Sequence, residues 1–342
     1  MRALVLGGSV FIGRQLVDSL LLRGHQVTVL NRGLTPHDLP DDVERLVSDR
    51  RDLDRMRQLL GEREWDAVFD VSGHVLAAGR VDPERHLDLF ADRVGHYVYV
   101  SSIMAYDQSL VGIAPWFEDY PTDRNGLDTY GGFKATFEAA LLARHERRQF
   151  PMTIVRPAAV YGPRNNIHDM ETPMFLRLLQ GRPVLVPHGG LVVGSYGHVD
   201  DLCEAMVVMA DHPAAKGHVF NVTGDSLEVN RYVRTLAAVV GRDADVVAVP
   251  DELLPEVTVA GAPPVFGHLF KVRHHAIIEN DKITSLLGWR PRYDVVSGHR
   301  HTYEWFQAQG WAELDTTLAD PVWKASWDFA AEAALVERIR RG

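Results

Sequence analysis

The sequence predicts an α/β fold, a Rossmann-like doubly wound parallel sheet with a smaller substrate-binding domain interleaved into its later half. Three observations carry that expectation. Short, near-continuous apolar runs alternate with amphipathic stretches through the first half of the chain, the pattern of strands buried on both faces and joined by helical crossovers. A glycine-rich turn, Gly7-Gly8-Ser9-Val10-Phe11-Ile12-Gly13, stands between the first apolar run and the first amphipathic one. No internal repeat or low-complexity linker divides the 342 residues.

ALVL at 3–6 reads as a buried strand, RQLVDSLLLRGH as a helix ended by Gly24, and VTVL at 27–30 as the second strand. Further strands are expected around Leu46 and at 66–71, 96–100 and 152–155, with helical segments between most of them. Irregular segments such as PHGGLVVGSYG and VAGAPPVFG suit a smaller domain built from insertions. The expected division is 1–163 with 196–223 for the nucleotide-binding domain, 164–195 and 224–310 for the substrate domain, and a helical tail at 311–342. In that tail Trp323 and Trp327 precede AAEAALVERIRR, an amphipathic helix expected to dock on the core or on a second subunit of a homodimer.

Composition narrows the function. With 36 basic and 46 acidic residues the net charge is −10, which argues against a broad nucleic-acid or anionic-membrane surface. The one cysteine, Cys203, is expected to be a buried spectator. No apolar run reaches membrane-spanning length, and Met1 leads directly into a strand rather than a signal peptide, so a cytoplasmic location is expected. The histidines, His274, His275, His299 and His301 among them, lack a carboxylate at metal-ligand spacing, and no metal is expected.

A dinucleotide turn of the usual kind carries three spaced glycines, for the tight turn, for backbone approach to the pyrophosphate, and for helix–strand contact. Here Val10 replaces the middle one. Because Gly7 follows a strand and Gly13 opens a helix, the site reads as altered rather than lost. After the second strand Asn31-Arg32 stands where a carboxylate would select NAD, and the Arg32 guanidinium suits the 2′-phosphate of NADP. Asp49 and Arg50, after the third strand, and Val71, Ser72, Gly73 and His74, after the fourth, are placed to line a cofactor, with Asp49 facing the adenine. Tyr130 and Lys134 are four apart on a helix. A lysine so placed holds the nicotinamide ribose and lowers the phenol's pKa, making it an acid/base near neutrality. Upstream, HYVYV runs into Ser101-Ser102, which sets a hydroxyl at a strand's carboxyl end.

The ordered series GGSVFIG, SDRRD, YVSSIMAY, YGGFK, VRPAAVYGPR, HVDDL, VFNVTG and DKITSLLGWRP resembles the extended short-chain dehydrogenases/reductases of the NAD(P)-dependent epimerase/dehydratase family. The resemblance implies a catalytic triad of Ser102, Tyr130 and Lys134, with hydride passing between the cofactor and a substrate carbon. It places the Pro157 to Val160 turn beside the carboxamide. The altered glycine turn and the Asn-Arg-Gly after the second strand are similar to an atypical branch, that of the chloroplast stem-loop RNA-binding proteins and their bacterial relatives. Where the family's 4,6-dehydratases carry Asp-Glu, this chain has Ile103 and Met104, which disfavours that reaction. Where many members carry a diphosphate-binding arginine, it has Gly194, four residues before His198, a histidine expected to fix a loop. Lys271 or Arg273 would supply the charge instead, and Met104, Asn165, Asn166 and His168 are substrate-loop candidates.

Two classes stay open. One is an enzyme acting by hydride transfer on a carbinol or ketone of a sugar-nucleotide or nucleoside-like substrate, either as an epimerase or as a net NADPH-dependent reductase. The other is a catalytically silent RNA-binding or scaffold protein on the same fold. The three intact chemical residues favour the enzyme.

Overall fold

The computed structural model describes residues 1–35, 38–73, 76, 81–109, 114–165, 170–258, 269–270, 274–311 and 329–341. His74, Asn166, His168, Lys271, Arg273, Trp323 and Trp327 lie outside the described residues.

The chain forms two compact units. The first comprises 1–160, 199–223 and 278–292. At its centre is a seven-stranded sheet in the order β10-β6-β5-β4-β1-β2-β3, every pairing parallel. Its strands are β1 (Arg2–Leu6), β2 (Gln26–Asn31), β3 (Glu44–Val47), β4 (Ala67–Asp70), β5 (Tyr97–Val100), β6 (Met152–Pro157) and β10 (His218–Val222). β4, β5 and β6 are buried at every position, which is why they read as near-continuous apolar runs. One core, with Leu16, Val17, Leu20, Leu202, Cys203 and Met206, covers one face; the other contains Met56, Leu87, Phe133, Phe137 and Leu141. The strand order reverses between β1 and β4, so the switch point where such sheets bind ligands lies at their carboxyl ends.

The second unit comprises 161–198, 224–277 and 293–342. Within it β8 (Val184–Val186) pairs in parallel with β12 (Val246–Ala248), and β9 (Val193–His198) pairs antiparallel with β11 (Ser226–Glu228). The helix Phe329–Arg341 sets Leu335 and Val336 against Leu185, Val247, Val249 and Val257. Arg338–Glu256 and Arg340–Asp245 contacts flank it, and a buried Arg177–Glu332 pair anchors it.

The division differs from the expected one in two places. Residues 278–292 return to the first unit, where the Asn280 side chain donates to the Thr223 carbonyl and accepts from its amide. The terminal helix is part of the second unit rather than a separate tail.

Candidate functional site

At the carboxyl end of β1 the chain turns through Gly7 and Gly8 into the helix Phe11–Leu22. A Cβ on Gly13 would stand 2.5 Å from the Gly8 amide nitrogen, so only glycine allows the helix to lie this close to the turn. Val10 takes an extended conformation as the N-cap residue, with its side chain 37% exposed. No side chain caps this helix start, whose first amides remain for a ligand, as an anion at a helix N-terminus requires. Asn31 ties the turn to β2 by donating from Nδ2 to Ser9 Oγ at 2.7 Å and accepting from the Gly33 amide at 2.9 Å. The turn therefore keeps a cradle that fits a dinucleotide's pyrophosphate.

Arg32 is exposed beside this corner. Asp49 is engaged by Arg51, its nearest bond 2.5 Å long, and that contact holds its carboxyl down at about 2. Arg50 is placed differently from the sequence expectation of a cofactor ligand. Its guanidinium is buried, with Nη1 and Nη2 forked onto Asp70 at 2.6 and 2.8 Å. It also donates to His86 Nε2 at 2.9 Å and to Ser72 Oγ at 3.2 Å. Arg50 thus holds the β4 terminus at Asp70, and Ser72 in the Val71 to Gly73 stretch that follows, from inside the protein. Ser72 Oγ closes the arrangement by donating to the Leu6 carbonyl at 3.0 Å.

Ser102, Tyr130 and Lys134 converge at the end of β5. Ser102 caps a short turn over Ile103–Ala105, accepting from the Met104 amide at 3.1 Å, and its hydroxyl favours the ionised form of the Tyr130 phenol. Tyr130 opens the helix Tyr130–Arg148, capped by Thr129, and is 51% exposed. Gly131 lets that helix begin where it does: a Cβ there would stand 2.1 Å from the Met104 carbonyl oxygen. Lys134 is buried one turn on, its Nζ donating to the Val100 carbonyl at 2.6 Å and lying 5.6 Å from the centre of the Tyr130 ring. Burial pulls its pKa down to about 8, against the opposing pull of Asp70 and Glu138. The phenol is not lowered as the sequence reading expects. Desolvation raises it, and the Ser102 hydroxyl works in the other direction. Lys134 does not offset that burial, its amine being directed to the Val100 carbonyl.

Pro157 ends β6, and the Ala158 amide after it donates to the Val222 carbonyl at 3.1 Å, which fixes the turn leading to Val160. Met104 is exposed near the helix start. In the second unit Asn165 donates from Nδ2 to both oxygens of buried Glu171 at 3.0 Å, so its amide is committed to structure. His198 lies against the rings of Tyr161 and Tyr293 and stands 3.3 Å from His301 Nδ1. His299 stacks on Tyr161 at 3.8 Å. The buried pairs Arg50–Asp70 and Arg156–Glu138, which flank the lysine, escaped the sequence reading. Two signals pointed to them: a carboxylate closing the apolar run of β4, and a second one four residues beyond Lys134 on the same helix face.

Residues 3–223 match the NAD dependent epimerase/dehydratase family. Among curated proteins, the chain is 29% identical to the chloroplast stem-loop binding protein of 41 kDa b of Arabidopsis thaliana, over 88% of this chain and 78% of that protein. It is also 29% identical to a UDP-glucose 4-epimerase of Mycolicibacterium smegmatis, over 90% and 99%. The structure of a Thermotoga maritima UDP-glucose 4-epimerase with UDP-glucose superposes with a TM-score of 0.73 at 23% identity, covering 90% of this chain and 99% of that one. That of a Bacillus anthracis dTDP-glucose 4,6-dehydratase with NAD gives 0.72 at 20%, covering 90% and 97%.

Proposed function

Since the chain belongs to the NAD-dependent epimerase/dehydratase family, and is an enzyme of it, we propose that it oxidises and re-reduces a carbinol of a sugar-nucleotide, with Tyr130 as the acid/base. The observation that carries this reading is the convergence of the Ser102 hydroxyl, the half-exposed Tyr130 phenol and the buried Lys134 amine at one strand end. A binding scaffold has no need of that combination. The names of the curated relatives support a nucleotide-linked sugar as substrate.

The Gly7 to Gly13 turn and the uncapped helix start after it fit the pyrophosphate, Val71 to Gly73 and the Pro157 to Val160 turn the middle and carboxamide of the dinucleotide, and Lys134 its ribose. When bound, the nicotinamide dinucleotide, NAD or NADP, would supply a hydride acceptor and donor. The protein's own part is proton handling. Ser102 orients the substrate hydroxyl, and Tyr130 takes its proton and later gives it back. For the tyrosinate that forms in between, the ammonium of Lys134 turns from the Val100 carbonyl towards the phenol oxygen, where it lowers the cost of that charge. Ile103 and Met104 supply no carboxylate for elimination, which favours epimerisation or net redox over dehydration.

Arg32 is the residue proposed to select the nucleotide. It is exposed at the end of β2, while Asp49 nearby is taken up by Arg51, so its guanidinium favours the 2′-phosphate of NADP. Mass spectrometry of the nucleotide that co-purifies, followed by assay of UDP-hexoses for epimerisation and for net change in NAD(P)H absorbance, tests the reading. Absence of any bound dinucleotide, with no turnover of any UDP-hexose, would overturn it.

A further inference from the structure

Lys134 sits between two buried ion pairs, and one of them reaches all the parts of the site at once. Glu138 lies one turn beyond Lys134 on the same helix and is 1% exposed; Arg156, the residue before Pro157 on β6, is 3% exposed. Arg156 Nε donates to both Glu138 oxygens at 3.0 and 3.2 Å, and its Nη2 donates to Oε2 at 2.5 Å. Ser101, next to Ser102, donates its hydroxyl to Glu138 Oε1. Beyond the carboxylate, Arg156 Nη1 donates to the Glu118 carbonyl at 3.0 Å, and the guanidinium lies 4.5 Å over the Tyr106 ring. The Tyr106 hydroxyl in turn donates to Asn221 at 2.7 Å.

We propose that Glu138 is a positioning residue for the Ser102–Tyr130–Lys134 relay: with Arg156 and Ser101 it clamps the helix bearing the tyrosine and lysine to the strand ends bearing the serine and the Pro157 turn. This rests on the functional reading above for the role of the triad, but the clamp itself stands on geometry. A buried ion pair is a poor way to gain stability, since apolar residues of like volume do as well or better. What it supplies is direction. Two carboxylate oxygens take four hydrogen bonds from two strand ends, so the helix cannot slide along its axis or turn about it without breaking several together. Charge adds a second consequence. The groups facing Lys134 are Asp70 from β4, Arg50 following β3, Tyr99 from β5, and Tyr130 and Glu138 on its own helix. Asp70 and Glu138 oppose the downward pull of burial and Arg50.

Lys134 is one of five lysines in the chain, so its amine is resolvable by NMR of protein labelled with 13C-lysine, the line being identified by its loss in Lys134→Met. In the intact protein its midpoint is expected at about 8. Glu138→Gln removes a charge that opposes the downward pull and leaves Arg156 unbalanced, so the midpoint is expected to fall by roughly half a pH unit or more. Glu138→Asp should restore most of the difference. With a UDP-hexose that turns over, Glu138→Gln should lower kcat at least about tenfold with KM within about threefold, as for lost alignment rather than lost binding. Glu138→Gln/Arg156→Met removes both charges: its lysine midpoint should return towards that of the parent while kcat stays low. If Glu138→Gln does not fold, the double variant decides, and a parental kcat there overturns the clamp. An unchanged lysine midpoint in folded Glu138→Gln also overturns it. The titration needs no substrate, so a parent without turnover defeats the functional reading while the lysine shift still decides on the clamp.

Discussion

Removing one oxygen from Tyr130 tests the chemistry most directly. The ring of Tyr130→Phe keeps its place over Lys134, but no proton can move through it. Turnover is expected to fall by at least about a hundredfold, with the dissociation constant for the dinucleotide within a few-fold, since Lys134 and the glycine turn are untouched. Single-turnover kinetics beside calorimetric titration separates the two, and near-parental turnover would exclude the proposed role. Arg32 offers the complementary case, a residue expected to alter binding and not chemistry. Charge-assisted hydrogen bonds to a 2′-phosphate contribute on the order of 1.5–3 kcal/mol, roughly a ten- to hundredfold preference for NADP. Arg32→Asp should reverse that preference, because a carboxylate repels the phosphate and accepts from a 2′-hydroxyl. Equal affinity of the parent for NAD and NADP would show that Arg32 contributes nothing to the choice.

The helix Tyr130–Arg148 sets the site as an element. Its first turn presses on the Met104 carbonyl, and Gly131→Ala would put a methyl group 2.1 Å from that oxygen. The helix start must then shift, and a shift of this kind separates Tyr130 from Ser102. Activity is expected to drop at least about tenfold, with a stability loss of roughly 1–3 kcal/mol; chemical denaturation alongside kinetics measures both. The strands of the sheet were legible in the sequence because burial on both faces leaves near-continuous apolar runs, as in HYVYV and MTIV. Gly13 and Tyr130–Lys134 were legible for the same kind of reason, a fixed spacing on a local element. Long-range pairing leaves no such mark. Nothing in SDRRD shows that Arg50 turns inward to Asp70, 20 residues on, nor does the spacing of Tyr130 and Lys134 reveal that the amine bonds to Val100. The return of 278–292 to the first unit was equally hidden, since it depends on the Asn280 side chain finding the backbone of Thr223.

Across the molecule, three buried histidines make stability depend on pH. His86, His96 and His299 are held neutral by burial, with pKa values pulled down to about 3, 4 and 4. Each binds its proton more weakly folded than unfolded, so the stability it confers is complete above about 6.5 and is lost as pH falls from there towards the folded value. The cost is roughly 1.4 kcal/mol per pH unit for each. Glu171, raised to about 7 by burial, works oppositely between its ordinary range and 7 and offsets part of this. Calorimetric Tm is therefore expected to fall between pH 6.5 and 5, and a flat profile would contradict the buried, neutral state of these imidazoles. Among the described residues no helix is long and apolar enough to cross a membrane.

The first unit is assembled from three separate stretches of chain, and this has a consequence for how the protein is made. β6 is complete at residue 157, but its outer neighbour β10 ends only at residue 222. At about 5–20 residues per second a ribosome needs roughly 3–13 seconds to supply the difference. During that interval a strand buried at every position in the finished sheet waits with one edge unpaired, open to the same strand of a neighbouring nascent chain. Crowded polysomes are thus where this sheet is most exposed to mispairing.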